Sequence, residues 1–194
     1  MIKSKKTLPV EFGIINADNV EQAIFYLAFH IQLLWQQLKK INQACLPIAY
    51  APSFYQELVS KNPKDGASME LRQNLSKFAY WNGFAVGAIC SKVEAIKDCP
   101  GRSRIYIMTL ATLAPYRNRG IGSALLDSLI SYYESHATDT ALSTVDEIML
   151  HVQTSNEDAI KFYEQFGFER EEFVEGYYKR IDPPDCFVLR KKLR

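Results

Sequence analysis

The sequence predicts a mixed α/β fold, in which a mainly antiparallel sheet is flanked by helices. Three observations carry this. Two apolar runs, Phe78–Trp81 and Phe84–Val93, are joined by Asn82-Gly83, the two-residue connection that best matches the twist of an antiparallel hairpin. From Ala114 onward, helix-periodic and strand-like segments alternate, which is the rhythm of a βαβ unit. Finally, the 194 residues are 47% apolar and 23% charged. A chain of that size and balance buries a core without disulfides or a structural metal, and one domain over 1–194 is expected.

The elements follow in order. Val10–Ile15 is a short strand candidate, and Asn16-Ala17-Asp18 offers a helix cap. Val20, Ile24, Leu27, Ile31, Leu34, Leu38 and Ile41 then step by alternating four and three residues, one face of a long first helix from about 18 to 44. Tyr26, Phe29 and Leu33 form a second apolar row on it, which suits either burial on two sides or a docking face. Pro47 ends this region, Phe54–Val59 reads as a helical turn, and Asn62–Ser68 reads as a surface loop. After the hairpin, a turn at Asp98-Cys99-Pro100-Gly101 leads into a strand at Arg104–Leu113. Gly122–Glu134 is an amphipathic helix and Glu147–Gln153 a strand. Asn156 caps a helix running to Gly167, and Phe168–Val174 and Phe187–Leu193 are closing strands.

Composition excludes several classes. Lys plus Arg is 23 and Asp plus Glu is 22, a net charge of +1, which does not support tracking along a nucleic-acid backbone. Lys3, Lys5 and Lys6, and Arg190, Lys191, Lys192 and Arg194, read as solvated basic termini. Cys45, Cys90, Cys99 and Cys186 form no CxxC pair, and with three histidines no metal site is expected. No apolar segment follows the first basic residues and the most apolar window, Ala23–Trp35, is short for a bilayer, so a cytoplasmic or nuclear protein is expected.

The chemistry concentrates after the Arg104 strand, in Arg117-Asn118-Arg119-Gly120-Ile121-Gly122-Ser123. A glycine turn at a helix start presents unpaired backbone N–H groups and the positive end of the helix dipole, which suits a phosphate or diphosphate. Gly120 and Gly122 permit close approach, and Arg117 and Arg119 add charge. The turn lacks the Gly-Lys-Ser/Thr of a Walker loop and the GxGxxG of a Rossmann fingerprint. Period-two alternation places Tyr106, Met108 and Leu110 on one strand face and Met149, His151 and Gln153 on one face of the next. If those faces coincide, Tyr106 and His151 flank one water, with His151 the base and Tyr106 orienting the water.

The turn Arg117-x-x-Gly120-x-Gly122 and the stretch HVQTSNEDAIKFYEQFGF from His151 to Phe168 resemble the GNAT acetyltransferase superfamily. YIMTLATLAPYRNRGIGSALL, YYKRIDPPD and LPIAY are further similar to the family of NatE N-terminal acetyltransferase catalytic subunits. The first helix is longer than that family's by about four turns and the Asn62–Glu70 loop is expanded. Leu46 and Ile48 stand where Phe and Val are usual.

The resemblance implies transfer of acetyl from acetyl-CoA to the α-amine of nascent proteins beginning with Met and a hydrophobic residue. It implies that the pantetheine arm lies beside Leu110, Ala111 and Thr112, that Asn156 contacts the cofactor further out, and that Tyr163 is an acid or a hydrogen-bond donor to the thiol. Substrate contacts carry over to Leu46, Pro47, Ile48, Tyr50, Met108, Tyr177, Tyr178 and Ile181. The NatA complex and the ribosome are the implied partners. Lysine side-chain acetylation and a non-catalytic acetyl-CoA-binding subunit are the competing readings. A covalent acetyl-cysteine route is disfavoured because a thioester is already activated and no cysteine lies beside a basic partner in the motifs.

Overall fold

The structure is a computed structural model that describes residues 11–14, 36–58 and 68–194. The strands are β1 (Glu11–Ile14), β2 (Lys77–Trp81), β3 (Phe84–Ala95), β4 (Ser103–Thr112), β5 (Val145–Gln153), β6 (Glu169–Val174) and β7 (Cys186–Lys192). The helices are α1, described over 36–45, then α2 (Pro52–Leu58), α3 (Met69–Leu75), α4 (Ile121–His136) and α5 (Glu157–Glu164). The row Tyr26, Phe29 and Leu33, the basic residues Lys3, Lys5 and Lys6, and most of the Asn62–Ser68 loop lie outside the described residues. The chain forms two compact units, one of residues up to Ser91 with Thr109–His136, the other of Lys92–Met108 with Ala137–Arg194.

In the first unit the strand order is β1-β2-β3-β4. β1 pairs antiparallel with β2, and β2 pairs antiparallel with β3 from Lys77↔Ile89 to Trp81↔Phe84. The Asn-Gly turn between them takes φ values of 47° at Asn82 and 77° at Gly83, the left-handed pair that a tight hairpin requires. Buried Phe78, Val86 and Ile89 from the strands and Leu125, Leu126 and Leu129 from α4 belong to this unit's core.

The helix α3 lies between the expected Asn62–Ser68 loop and the hairpin, in a stretch to which the sequence assigns no element. It forms because the Ser68 hydroxyl accepts from the Leu71 N–H at 3.1 Å, capping a segment whose Leu71 and Leu75 are both buried. Arg72, also buried, joins α3 to α2 by donating to the Glu57 carbonyl oxygen and pairing with its carboxylate.

In the second unit β4 and β5 are parallel, while β7 lies between β5 and β6 and is antiparallel to both. This is the mixed sheet expected, with the last strand inserted in front of β6. Of the basic C-terminus, Lys192 and Arg194 are exposed as expected, while Arg190 and Lys191 are half-buried, and this unit holds the run by side-chain contacts. Arg190 lies on β7 with its guanidinium against Glu147 and Glu171, Lys191 donates to the Phe166 carbonyl at 2.9 Å, and Arg194 donates to the Ser143 and Ala137 carbonyls.

Candidate active site

The first unit carries the anion-type turn. β4 ends at Thr112, a 3-10 turn covers Ala114–Tyr116, and α4 begins at Ile121. The Arg117 side chain folds back so that its Nε donates to the Thr112 carbonyl at 2.9 Å, fixing the loop on the strand end. Asn118 and Gly120 take positive φ values of 58° and 82°, which bends the backbone between the 3-10 turn and the helix. The first intrahelical bond runs from the Ala124 N–H to the Gly120 carbonyl at 2.9 Å. The N–H groups of Ile121, Gly122 and Ser123 are therefore left without helical acceptors. No acidic residue occupies the first turn of α4, and Arg117 and Arg119 are exposed. This donor set, cationic and poor in acceptors, fits the diphosphate of acetyl-CoA.

A residue that sequence reasoning passed over supports this turn. A Cβ on Gly87 would meet the Ala111 carbonyl oxygen at 3.1 Å, the Ile121 side chain at 3.2 Å and the Thr112 hydroxyl at 3.3 Å. A side chain at this position would press on the end of β4 and the start of α4, so glycine suits the close run of β3 past them. The signal was available, since an isolated glycine inside an apolar strand run marks close backbone approach. Leu110 and Thr112 are half-buried and Ala111 is buried. In the same unit, Leu46, Ile48 and Tyr50 are half-buried and Pro47 is exposed, in the segment between α1 and α2, and the Tyr50 ring lies 4.6 Å from Phe54.

The second unit carries the titratable groups. Along β4, Ser103, Ile105 and Ile107 are buried while Arg104, Tyr106 and Met108 are half-buried, so the alternation has the expected phase. Tyr106 is in register with Met149 and His151 follows two residues later, so both side chains share one face. The Tyr106 hydroxyl lies 3.2 Å from Nδ1 of His151. The two groups are directly hydrogen-bonded to each other, on the face where they were expected to flank a water.

Burial, reinforced by the Arg104 guanidinium, lowers the proton affinity of His151 below that of an ordinary imidazole; Glu94 and Glu172 oppose this and Arg190 adds to it. The ring is thus neutral at neutral pH. In the tautomer whose Nδ1–H donates to the Tyr106 oxygen, Nε2 keeps its lone pair and is the basic atom. Arg104 itself is held by Glu94 at 3.0 Å and Glu147 at 3.4 Å, and Lys92 lies 5.6 Å from the centre of the Tyr106 ring.

Tyr163, on α5, is buried against Phe162 and Phe168, and burial raises its phenol well above the ordinary tyrosine range. A phenol so weakly acidic stays protonated and donates a hydrogen bond, but transfers its proton poorly. Of the two expected roles, the thiol hydrogen-bond donor is the one the environment fits. Asn156 is exposed and its Oδ1 accepts from the Ala159 N–H at 3.2 Å as the cap of α5. Tyr177, Tyr178 and Ile181 all lie in the segment between β6 and β7, with Tyr177 and Tyr178 edge to face at 4.8 Å. Among the described residues no cluster of three His, Cys, Asp or Glu is placed to hold a metal ion, and no helix is long and apolar enough to cross a membrane.

Residues 35–168 match the Acetyltransferase (GNAT) family, more than half of the chain. The chain belongs to the GNAT acetyltransferase family. It is 42% identical over 159 residues to N-alpha-acetyltransferase 50 of Danio rerio, covering 82% of this chain and 83% of that protein. It is 38% identical to the probable N-acetyltransferase san of Drosophila melanogaster, covering 82% and 76%. Among solved structures, Arabidopsis thaliana Naa50 in complex with the bisubstrate analogue CoA-Ac-MVNAL superposes with a TM-score of 0.67 at 35% identity, covering 95% of this chain and 99% of that one. The GNAT assignment accounts for the placing of the Arg117–Ser123 turn at the end of β4 and of the α5 cap straight after β5.

Proposed function

We propose that this GNAT enzyme acetylates the α-amine of proteins that begin with Met followed by a hydrophobic residue. It is an acetyl-CoA-dependent N-terminal acetyltransferase. The observation that carries the reading is the Tyr106–His151 pair, a neutral imidazole hydrogen-bonded at Nδ1 on the half-buried face of β4 and β5. The relatives named N-alpha-acetyltransferase, and the Naa50 structure bound to an analogue built on a Met-Val peptide, support the substrate class.

The chemistry divides simply. Acetyl-CoA supplies an acyl group already activated as a thioester, so no covalent nucleophile is required of the protein. The N–H groups of Ile121, Gly122 and Ser123, with Arg117 and Arg119, hold its diphosphate, and Leu110, Ala111, Thr112, Asn118, Gly120 and Asn156 line the rest of the cofactor. His151 takes the proton of the α-ammonium at Nε2, directly or through a water, while Tyr106 holds the imidazole ring through Nδ1. An α-amine titrates near 8, so freeing it at pH 7 costs about 1 kcal/mol, against four or five for a lysine. A neutral, weakly basic histidine is adequate for the first and poorly matched to the second. Tyr163 donates a hydrogen bond to the thiol sulfur. Leu46, Pro47, Ile48, Tyr50, Met108, Tyr177, Tyr178 and Ile181 form the substrate contacts, and burying a Met side chain among such residues is worth about 1.5 to 3 kcal/mol.

The same reading includes action on nascent chains in the cytoplasm beside the ribosome, in association with the NatA complex. What supports it is the substrate class, since N-termini are most accessible while chains are being made. The test is acetylation of a Met-Leu peptide against a peptide with a blocked N-terminus and one internal Lys. Faster turnover of the first by at least about tenfold is expected. Preference for the internal Lys overturns the substrate class, and acetyl-CoA binding without turnover of either peptide identifies a non-catalytic subunit.

A further inference from the structure

His151 is held on more sides than Tyr106 accounts for. The Tyr177 ring lies flat against the imidazole, with centroids 4.3 Å apart and planes 10° apart. Tyr177 is itself 41% exposed, so the ring that covers the base also meets solvent. It sits on the irregular segment between β6 and β7, where an aromatic ring has no regular hydrogen-bond ladder to fix its plane.

That segment is nevertheless pinned. Two bonds close it on itself, from the Gly176 N–H to the Asp185 carboxylate at 2.8 Å and from the Tyr178 N–H to the Pro184 carbonyl at 2.7 Å. Two more tie it to the end of β5, from the Thr154 N–H to the Asp185 carbonyl at 3.1 Å and from Nε2 of Gln153 to the Pro183 carbonyl at 2.8 Å. Gln153 is the side chain among these β5 ties, two residues beyond His151 on the same strand face, and half-buried.

We infer that Gln153 and Tyr177 are positioning residues for the catalytic base: Gln153 anchors the β6–β7 segment, and the segment holds the Tyr177 ring against His151, fixing the imidazole plane and screening it from water. This rests on His151 being the base of the acetyltransferase reading. It gives Tyr177 a function in its ring, beyond the peptide contact carried by the resemblance, and gives Gln153 a role where none was assigned.

The charged groups acting on His151 are Arg104 from β4, Glu94 from β3, Glu172 from β6 and Arg190 from β7. Substitutions at Gln153 and Tyr177 leave all four in place. Because burial is the leading cause of the lowered proton affinity of His151, uncovering the ring raises that affinity towards the free imidazole value.

The full-length Tyr177→Phe, Tyr177→Leu and Gln153→Leu variants separate this from a merely structural role. Two readouts are taken, the pH profile of kcat/KM with acetyl-CoA and a Met-Leu peptide, and the NMR titration of the His151 ring, assigned with His151→Ala among the three histidines. Tyr177→Phe keeps the stack and is expected to titrate as the wild type. Tyr177→Leu and Gln153→Leu are expected to move both the acid limb and the ring titration to higher pH, and to lower kcat about tenfold with a smaller change in the peptide KM. A wild-type titration in Gln153→Leu, or a Tyr177→Phe variant shifted as far as Tyr177→Leu, overturns the proposal. The NMR titration decides it even if no peptide is acetylated, whereas that failure would sink the activity and leave the packing argument standing.

Discussion

The Tyr106 hydroxyl and Nδ1 of His151 are 3.2 Å apart, in direct hydrogen-bond contact across the parallel strands β4 and β5. The contact gives each residue a separable job. In the proposed mechanism His151 moves the proton, and Tyr106 holds the imidazole in place through Nδ1. His151→Ala is expected to lower kcat by about 10² to 10⁴, the range for loss of a positioned base. Tyr106→Phe is expected to cost about tenfold, because it removes the hydrogen bond that holds the imidazole and keeps the aromatic ring. Since the two act as one unit, the double variant should be little worse than His151→Ala alone. Steady-state rates on a Met-Leu peptide check this, and independent, multiplicative losses would show that the pair does not work together.

The pH dependence follows from the sign of the His151 shift. Burial first, and Arg104 second, hold its proton affinity below the ordinary imidazole value of 6.5. The acid limb of kcat/KM therefore lies below pH 6.5, and activity is retained through neutrality. The same shift means that the unfolded chain binds a proton more readily than the native one at this site. Its contribution to stability is present above the unfolded value and is lost as the pH falls through 6.5 towards the folded value.

Arg104→Met removes a cation from beside the imidazole and leaves the Glu94 carboxylate with Lys92 as its remaining ion-pair partner. Both changes favour the imidazolium, so the acid limb moves to higher pH. Side by side pH–rate profiles of the wild type and the variant measure the displacement, and a limb that stays put or moves to lower pH would remove Arg104 from the account.

How much of this was legible in the sequence depends on the range of the interaction. The hairpin at Asn82-Gly83 and the cap at Asn156 were readable because each is settled within a few residues, by a turn needing positive φ and by a side chain reaching its own helix. The faces of β4 and β5 were readable from alternation alone, and the parallel register then brings them onto one side. The α3 helix was missed because seven residues give little periodicity to detect, and its Ser68 cap stood inside what looked like a loop. The insertion of β7 between β5 and β6, the engagement of Arg190 and Lys191, and the Tyr177–His151 stack depend on partners distant in the chain, which no local pattern encodes.

Gly87 offers a test of the cofactor turn that touches none of its donors. A side chain there meets a backbone carbonyl at 3.1 Å, which is less able to yield than a flexible side chain. Gly87→Val is expected to push β3 away from Ala111, Thr112 and Ile121, to destabilise the protein by about 1 to 3 kcal/mol, and to raise the KM for acetyl-CoA about tenfold. Phe84→Ser on the same strand, at a position 73% exposed, is the control and should leave the acetyl-CoA KM unchanged. Calorimetric titration with coenzyme A together with thermal melts separates the two effects. A Gly87→Val protein with wild-type coenzyme affinity would show that the close approach serves packing alone.

Tyr163 distinguishes a hydrogen-bond donor from a general acid. Burial among Phe162, Phe168 and the core of the second unit raises its phenol, so that at any pH compatible with folding the O–H stays intact. A donor of that kind stabilises charge growing on the departing sulfur without giving up its proton, and loss of one such neutral bond is worth about 0.5 to 1.5 kcal/mol. Tyr163→Phe preserves the ring packing and should therefore lower kcat only about three- to tenfold, by the same factor at pH 7 and pH 9. A general acid would behave otherwise. Its removal would cost about 10² to 10⁴, and the deficit would shrink on an acyl donor whose thiol is more acidic, because such a leaving group needs no proton. Rates for the wild type and Tyr163→Phe with acetyl-CoA and with a more acidic thioester distinguish the two, and a loss beyond a hundredfold that the better leaving group rescues would return Tyr163 to the role of acid.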